Sequence, residues 1–228
     1  MKAILHWPST GRQRGFTLVE LMIGMTLGLI LLIALAYFFL GSRQLNRTHD
    51  DVSRMQESGR HALEILGRAI RQAGYRANSE ITFLAAFPTN PSLAGMNGTP
   101  DSITARYAAQ EGGEADCTGA NVAAGALVTY AFTVNGLREL ICNNGAVNMV
   151  VADNIENMQI TYGIDADRNG VIESYTVVPP ATAALFGQVA VVRVNLVVRG
   201  PTPNAATGGD GFLRQGYTAT FTVRNQAG

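Results

Sequence analysis

The chain has 228 residues, enough for one domain of ordinary size plus an extension. Its 17 basic and 17 acidic residues balance to a formal net charge of zero, and from Ala77 onward seven Arg stand against twelve acids. That acidic bias argues against nonspecific binding to nucleic acid, which needs clustered cations. The three histidines are His6, His49 and His61, and Lys2 is the one lysine. A Ser-His-Asp or Cys-His arrangement therefore cannot be built within the C-terminal two thirds.

The first segment, Met1 to Gly15, carries Lys2, Arg12 and Arg14 and no acid. Gly15-Phe16-Thr17-Leu18-Val19-Glu20 then opens an apolar run that lasts to Leu40, in which Glu20 is the only charge. A carboxylate near the start of a membrane-length helix is expensive to bury, which makes Glu20 a functional candidate. About 20 apolar residues span a bilayer, so a permanent anchor is one reading of the run. A secretory signal, cut after a small-residue site such as Ala34-Leu35-Ala36, is another, but its apolar core is usually about 7–15 residues long. The positive leader favours the cytoplasm and places the C-terminal part outside. Gly24 and Gly28 have the spacing that lets helices approach closely, a spacing that chance also produces.

No proline occurs between Pro8 and Pro88, so nothing there forces a helix to break. Past Gly41-Ser42, apolar residues recur at Leu45, Val52, Met55, Ala62, Leu63, Leu66, Ile70 and Ala73, the steps of one helical face. Gly74 is a plausible stop, with Arg68 and Arg71 in the last turns. The pattern predicts one helix from Phe16 to Ala73, about 85 Å long at about 1.5 Å per residue. Its first half is apolar all round, and its second half has one stripe to pack on a domain. Gly59 and Gly67 each cost about 1 kcal/mol of helix propensity relative to Ala and mark where a sheet is expected to come close. Arg54, Arg60, Arg68 and Arg71 read as a solvated face with pairs such as Glu64–Arg68.

From Ile81 the pattern changes to period two. Predicted strands are Ser102–Tyr107, Ala126–Val134, Leu137–Cys142, Val147–Ala152, Met158–Ile164, Ile172–Val178, Val189–Val198 and Tyr217–Arg224. Asn135-Gly136 joins two of them as a hairpin signal, and Asn143-Asn144-Gly145 is a second turn. Loops are predicted at Pro88–Asp101, Gln110–Ala124 and Pro201–Gly211. The fold class is α+β: a long N-terminal helix whose C-terminal half packs on an antiparallel sheet head. Cys117 and Cys142 read as one disulfide in an exported domain, closing a loop whose entropy is worth on the order of 3 kcal/mol; two buried thiols are the alternative. Asp165-Ala-Asp167-Arg-Asn169-Gly170-Val171-Ile-Glu173 follows the first half of an EF-hand loop. Oxygen ligands stand at positions 1, 3, 5 and 9, Gly at 6 and a backbone carbonyl at 7. Position 12 is Thr176 where a bidentate Glu belongs, and a hairpin loop of turn formers accounts for the same residues without calcium. Paired carboxylates of the glycosidase kind are better explained by that turn or metal.

The leader, Gly15-Phe16 and Glu20 together resemble the class III signal of type IV prepilins. The resemblance implies a prepilin peptidase cut between Gly15 and Phe16, methylation of the new amine, and a mature chain in which Glu20 is fifth. Three further stretches resemble the PilW-type minor pilins. They are Ser58-Gly59-Arg60 with Arg68–Tyr75, the Asp/Asn/Gly loop after Tyr162-Gly163, and the ending Phe221-Thr222-Val223-Arg224-Asn225. The likeness implies a pilin fold with a leader (1–15), a transmembrane or filament-core helix (16–40), an amphipathic half (41–75) and a periplasmic β-rich head (76–228). It further implies an inner-membrane protein, later at the pilus surface, that helps to prime assembly and is not an enzyme. Its partners would be other minor pilins, the major pilin, prepilin peptidase, the inner-membrane assembly platform and membrane lipid, with Glu20 neutralising the amine of a neighbouring subunit. A type II secretion pseudopilin of the J type, and a membrane-anchored periplasmic binding module, are the competing readings.

Overall fold

The structure is a computed structural model and describes residues 15–76, 93–109, 114–180, 182–203 and 209–224. The leader up to Arg14, the chain end from Asn225, and parts of the three predicted loops (88–92, 110–113 and 204–208) lie outside these residues. Two compact units form, Met1–Thr48 and His49–Gly228, and the boundary falls inside one helix.

That helix, α1, runs Leu18–Gln72. Thr17 caps it: its Oγ1 accepts the Glu20 N–H at 3.2 Å, and its carbonyl accepts the Leu21 N–H at 3.1 Å. Thr17-Leu-Val-Glu20 is thus the S/T-x-x-E pattern of a capped helix start. In the first unit the large apolar side chains are exposed: Phe16 is 84% exposed, and every large apolar side chain from Leu18 to Leu40 is exposed too. The other end stops as expected. Gly74 takes φ 77°, and its N–H donates to the Arg106 carbonyl at 2.8 Å, so the chain leaves the helix directly onto a strand.

In the second unit α1 buries Met55, Ala62, Leu66, Ala69 and Ile70, with Ala73 just beyond it. Gly59 and Gly67 do lie where a sheet comes close. A Cβ at Gly59 would stand 2.6 Å from the Tyr217 ring, and one at Gly67 would overlap the Phe221 ring. Asp51 is buried and accepts a hydrogen bond from the Thr202 hydroxyl, a second tie between helix and strand.

The expected antiparallel head is two sheets around one core. Eleven strands, all antiparallel, are described: β1 Leu93–Met96, β2 Ser102–Ala108, β3 Glu114–Ala115, β4 Asn121–Val122, β5 Leu127–Val134, β6 Leu140–Asn143, β7 Asn148–Ala152, β8 Ile155–Ile164, β9 Ser174–Thr176, β10 Val189–Pro203 and β11 Phe212–Thr222. A short helix, α2, spans Ala183–Phe186. One sheet has the order β1-β2-β5-β6-β7, the other β11-β10-β8-β9, and β3 pairs β4 alone. Ile103, Phe132, Leu140, Ile155, Ile160, Tyr162, Val194 and Leu196 are buried with the helix stripe in a single cluster. Asp101 staples the two sheets. Its N–H donates to the Met158 carbonyl at 2.8 Å, and its Oδ2 accepts the Ile160 N–H at 2.7 Å.

The strand limits differ from the predicted ones in physical detail. β1 lies inside a predicted loop, because Gly95 sits so close to the Ser102 carbonyl that only a residue without Cβ fits there. The β5–β6 turn is not a two-residue Asn-Gly turn. Asn135 Oδ1 accepts the N–H groups of Leu137 and Glu139, and Arg138 takes the left-handed conformation at φ 63°. β9 is shorter than the predicted Ile172–Val178, because the acidic loop holds residues up to Glu173.

Candidate functional site

Two places carry the candidate chemistry. The first is the start of α1. Gly15, Phe16 and Thr17 precede the helix without regular secondary structure, and among the described residues nothing lies within 4 Å of a Cβ placed at Gly15. Glu20 is the acid of the first turn, where a negative charge suits the helix dipole, and it is exposed among exposed apolar side chains. The helix is long and apolar enough to cross a membrane. The sequence reading missed Thr17 as the cap that fixes where Glu20 sits in the turn. The signal was present as Thr17 and Glu20 three residues apart.

The second place is the loop between β8 and β9. Asp165 is buried; its Oδ1 accepts the Asn169 N–H at 3.0 Å and its Oδ2 the Gly170 N–H at 2.9 Å. Asp167 accepts from the Asn169 side chain at 2.8 Å. Asn169 Oδ1 accepts the Val171 N–H at 2.7 Å, and Glu173 accepts the Ala166 N–H at 2.8 Å. Left-handed backbone at Arg168 (φ 59°) and Gly170 (φ 87°) turns the chain back. The loop so brings Asp165, Asp167 and Glu173 together, with one oxygen of each within 4.8 Å of the others. Three converging carboxylates suit a divalent cation in charge and reach. Thr176, in the closing position, is paired with Tyr162 in the sheet and does not join them. The loop's own amides already hydrogen-bond Asp165 and Glu173.

Residues 123–225 match the family model described as Type IV Pilus-assembly protein W, PilW. Residues 10–36 match the Prokaryotic N-terminal methylation motif. The chain is thus similar to type IV pilus-related proteins at both ends. No curated protein matches it. Among solved structures, the type IV-like pilin TTHA1219 from Thermus thermophilus aligns at 15% identity and a TM-score of 0.47, covering 79% of this chain and 98% of that one. The matched methylation motif contains Gly15, Phe16 and Glu20.

The head also holds the expected disulfide, Cys117–Cys142. It ties the β3–β4 hairpin to β6 of the five-stranded sheet. Asp116 reinforces the tie: its carboxylate accepts from the Thr118 N–H at 2.8 Å and from the Asn144 side chain at 2.6 Å. Burial pushes the Asp116 carboxyl up, but the hydrogen bonds from Asn144, Thr118 and Ala120 outweigh it and hold the group below the ordinary carboxylate range. Asp116 was not singled out in the sequence, because its partner Asn144 is 28 residues away.

Proposed function

We propose that this chain is a minor pilin of the type IV pilus. It is inserted in the inner membrane with its C-terminal side in the periplasm, cut between Gly15 and Phe16 by prepilin peptidase, and methylated at the Phe16 amine. It then joins other minor pilins and the major pilin on the assembly platform and helps to prime assembly. The observation that carries this reading is Glu20, the one carboxylate in an exposed apolar helix whose motif precedes a PilW-matching head. In an apolar surrounding, opposite charges attract strongly and either alone is costly. Glu20 therefore docks against the terminal amine of a neighbouring subunit. The work is association rather than catalysis.

The test is Glu20→Ala in cells that assemble the filament. Mass spectrometry should still find a methylated chain starting at Phe16, and the amount recovered in sheared filaments should fall at least tenfold. Normal incorporation would overturn the role of Glu20. The PilW match supports a pilus subunit over a J-type pseudopilin, and deletion separates the two: piliation and twitching are lost in one case, secretion of exoproteins in the other. An uncut leader on the isolated protein would indicate a fixed periplasmic binding module instead.

Calcium at the Asp165–Glu173 loop is part of the proposal. Asp165, Asp167, Asn169, the Val171 carbonyl and Glu173 would hold it. Without a bidentate closing ligand the affinity falls in the weak range of extracellular modules, about 10⁻⁴–10⁻³ M.

A further inference from the structure

The apolar part of α1 keeps its rings at its ends. From Thr17 to Ala36 the sequence has no aromatic residue; Phe16 precedes that stretch and Tyr37-Phe38-Phe39 follow it. All four rings are exposed. Membrane-spanning helices gather amphipathic rings, Tyr among them, at the membrane–water interface, so Tyr37 marks such a level. From Leu18, where α1 begins, to Tyr37 the axis rises about 29 Å, which matches a hydrocarbon core of about 30 Å.

The first cations past that level are Arg43 and Arg47. Within residues 16–48 they are the only cations, and Glu20 is the only acid. Both arginines are exposed, and their i, i+4 spacing puts them on one side of the helix. Arg43 folds back toward the apolar run: its guanidinium carbon lies 4.2 Å from the centroid of the Phe39 ring, one turn earlier. Long helical side chains point toward the helix N-terminus in general, so both heads are directed at the end of the run. The Arg43 backbone stands about 9 Å past Tyr37, and a headgroup layer is about 5–8 Å deep. Folding back therefore sets its guanidinium in that layer, with the stem along apolar surface. Neither arginine forms an ion pair among the described residues. The next acids in the chain, Asp50 and Asp51, come after both, so the cations stand nearer the apolar run than the acids do. That order complements a layer of negative charge at the end of the run.

We propose that Arg43 and Arg47 bind the phosphate of an anionic phospholipid headgroup, in the leaflet where the apolar run ends. A guanidinium fork matches phosphate oxygens in shape and charge, and the Phe39 ring holds the Arg43 fork at the membrane level. The large apolar side chains up to Leu40 are all exposed. Acyl chains that cover them bring their own headgroups to Arg43, so the phosphate is delivered by the same solvent that the helix requires. A zwitterionic lipid offers a phosphate too, but its ammonium group is repelled by the two arginines. The inference rests on the insertion of α1 in a membrane, which the minor-pilin reading requires.

The test uses the full chain in vesicles of phosphatidylcholine and phosphatidylglycerol. Trp7→Phe removes the one native tryptophan, and Phe38→Trp places a new one beside the site. Bromine on the acyl chains of one lipid or the other quenches the introduced tryptophan, and the two quenching curves give the relative occupancy of each lipid around it. Phosphatidylglycerol should be favoured by roughly fivefold or more. Arg43→Gln with Arg47→Gln should bring that ratio close to one, while quenching by brominated phosphatidylcholine persists. Equal occupancy in the parent, or a preference that survives in the double variant, overturns the headgroup site alone. A preference abolished by millimolar inorganic phosphate at constant ionic strength assigns the pair to a free anion and overturns it as well. Absence of quenching by either brominated lipid means that α1 is not inserted, and overturns the minor-pilin reading with it.

Discussion

At the residue scale, small side chains decide how closely α1 meets its sheet. Gly67 is a poor helix former, and replacing it by Ala in an open helix would gain about 1 kcal/mol. Here the added methyl overlaps the Phe221 ring, and overpacking costs typically 1–3 kcal/mol. Gly67→Ala should therefore lower the denaturant midpoint. In a Phe221→Ala background, where the ring is gone, the same substitution should raise it. An unchanged sign in the two backgrounds would refute the close-approach account. The acidic loop gives a second residue-scale prediction. Calorimetric titration with calcium should show weak binding that Asp167→Asn with Glu173→Gln abolishes. These two side chains are the ones to change, because Asp165 is buried and holds the loop amides. Identical heat traces from parent and variant would end the calcium proposal. Gly59, Gly67 and the Asp165–Glu173 spacing were all legible in the sequence, since a glycine in a helix stripe and a ligand-type repeat are local patterns. Asp51 and Asp101 were not legible. Their partners Thr202 and Ile160 are 151 and 59 residues away, and nothing local marks such a pair.

At the scale of elements, β8, β10 and β11 are joined by a charge network as well as by their ladders. Arg214 on β11 donates to Glu156 on β8 at 2.6 Å and to Asp210 at 2.6 Å. Arg199 on β10 lies 3.9 Å from Glu156 and 3.4 Å from Asp210, with its guanidinium 3.5 Å from the Phe212 ring centroid. Hydrogen bonds from Arg214 hold both carboxyls below the ordinary carboxylate range. Folded-state values below the unfolded ones mean that the network's contribution is complete above the unfolded values near pH 4. It is lost as pH falls through the lowered folded values. Thermal stability should therefore decline on acidification below about pH 4, and Arg214→Gln should flatten that decline. An equally steep acid limb in the variant would assign it to other groups. The sequence exposed β10 by its alternation and hid this network. Its members come from separate strands and meet only after the β8–β10–β11 register is set. Edge strands β1, β3 and β4 were hidden for a related reason: two to four residues are too few to show a period.

At the scale of the whole molecule, one helix belongs to two environments, and the change falls at Thr48/His49. Every buried residue of α1 lies after that point, from Asp51 to Ile70. Every large apolar side chain exposed along the helix lies before it, the last being Leu45. An all-round apolar run and a single stripe differ in kind; the sequence pattern puts that change at Gly41, whereas the unit boundary falls later, at Thr48/His49. The position of the head's own boundary was less legible, because the stripe belongs energetically to the sheets that cover it. If the second unit carries its own core, a chain beginning at His49 should be soluble without detergent. It should form the Cys117–Cys142 disulfide and unfold cooperatively at a midpoint within a few degrees of the detergent-solubilised full chain. A chain beginning at Ala77 should not, because it lacks Met55, Ala62, Leu66 and Ile70 and leaves the sheet residues that meet them open to water. Removing Met55, Leu66 and Ile70 forfeits roughly 1.5–3 kcal/mol each, comparable to the whole stability of a domain of about 5–15 kcal/mol. Aggregation of the chain from His49, or cooperative folding of the chain from Ala77, would show that the second half of α1 is a linker rather than part of the core.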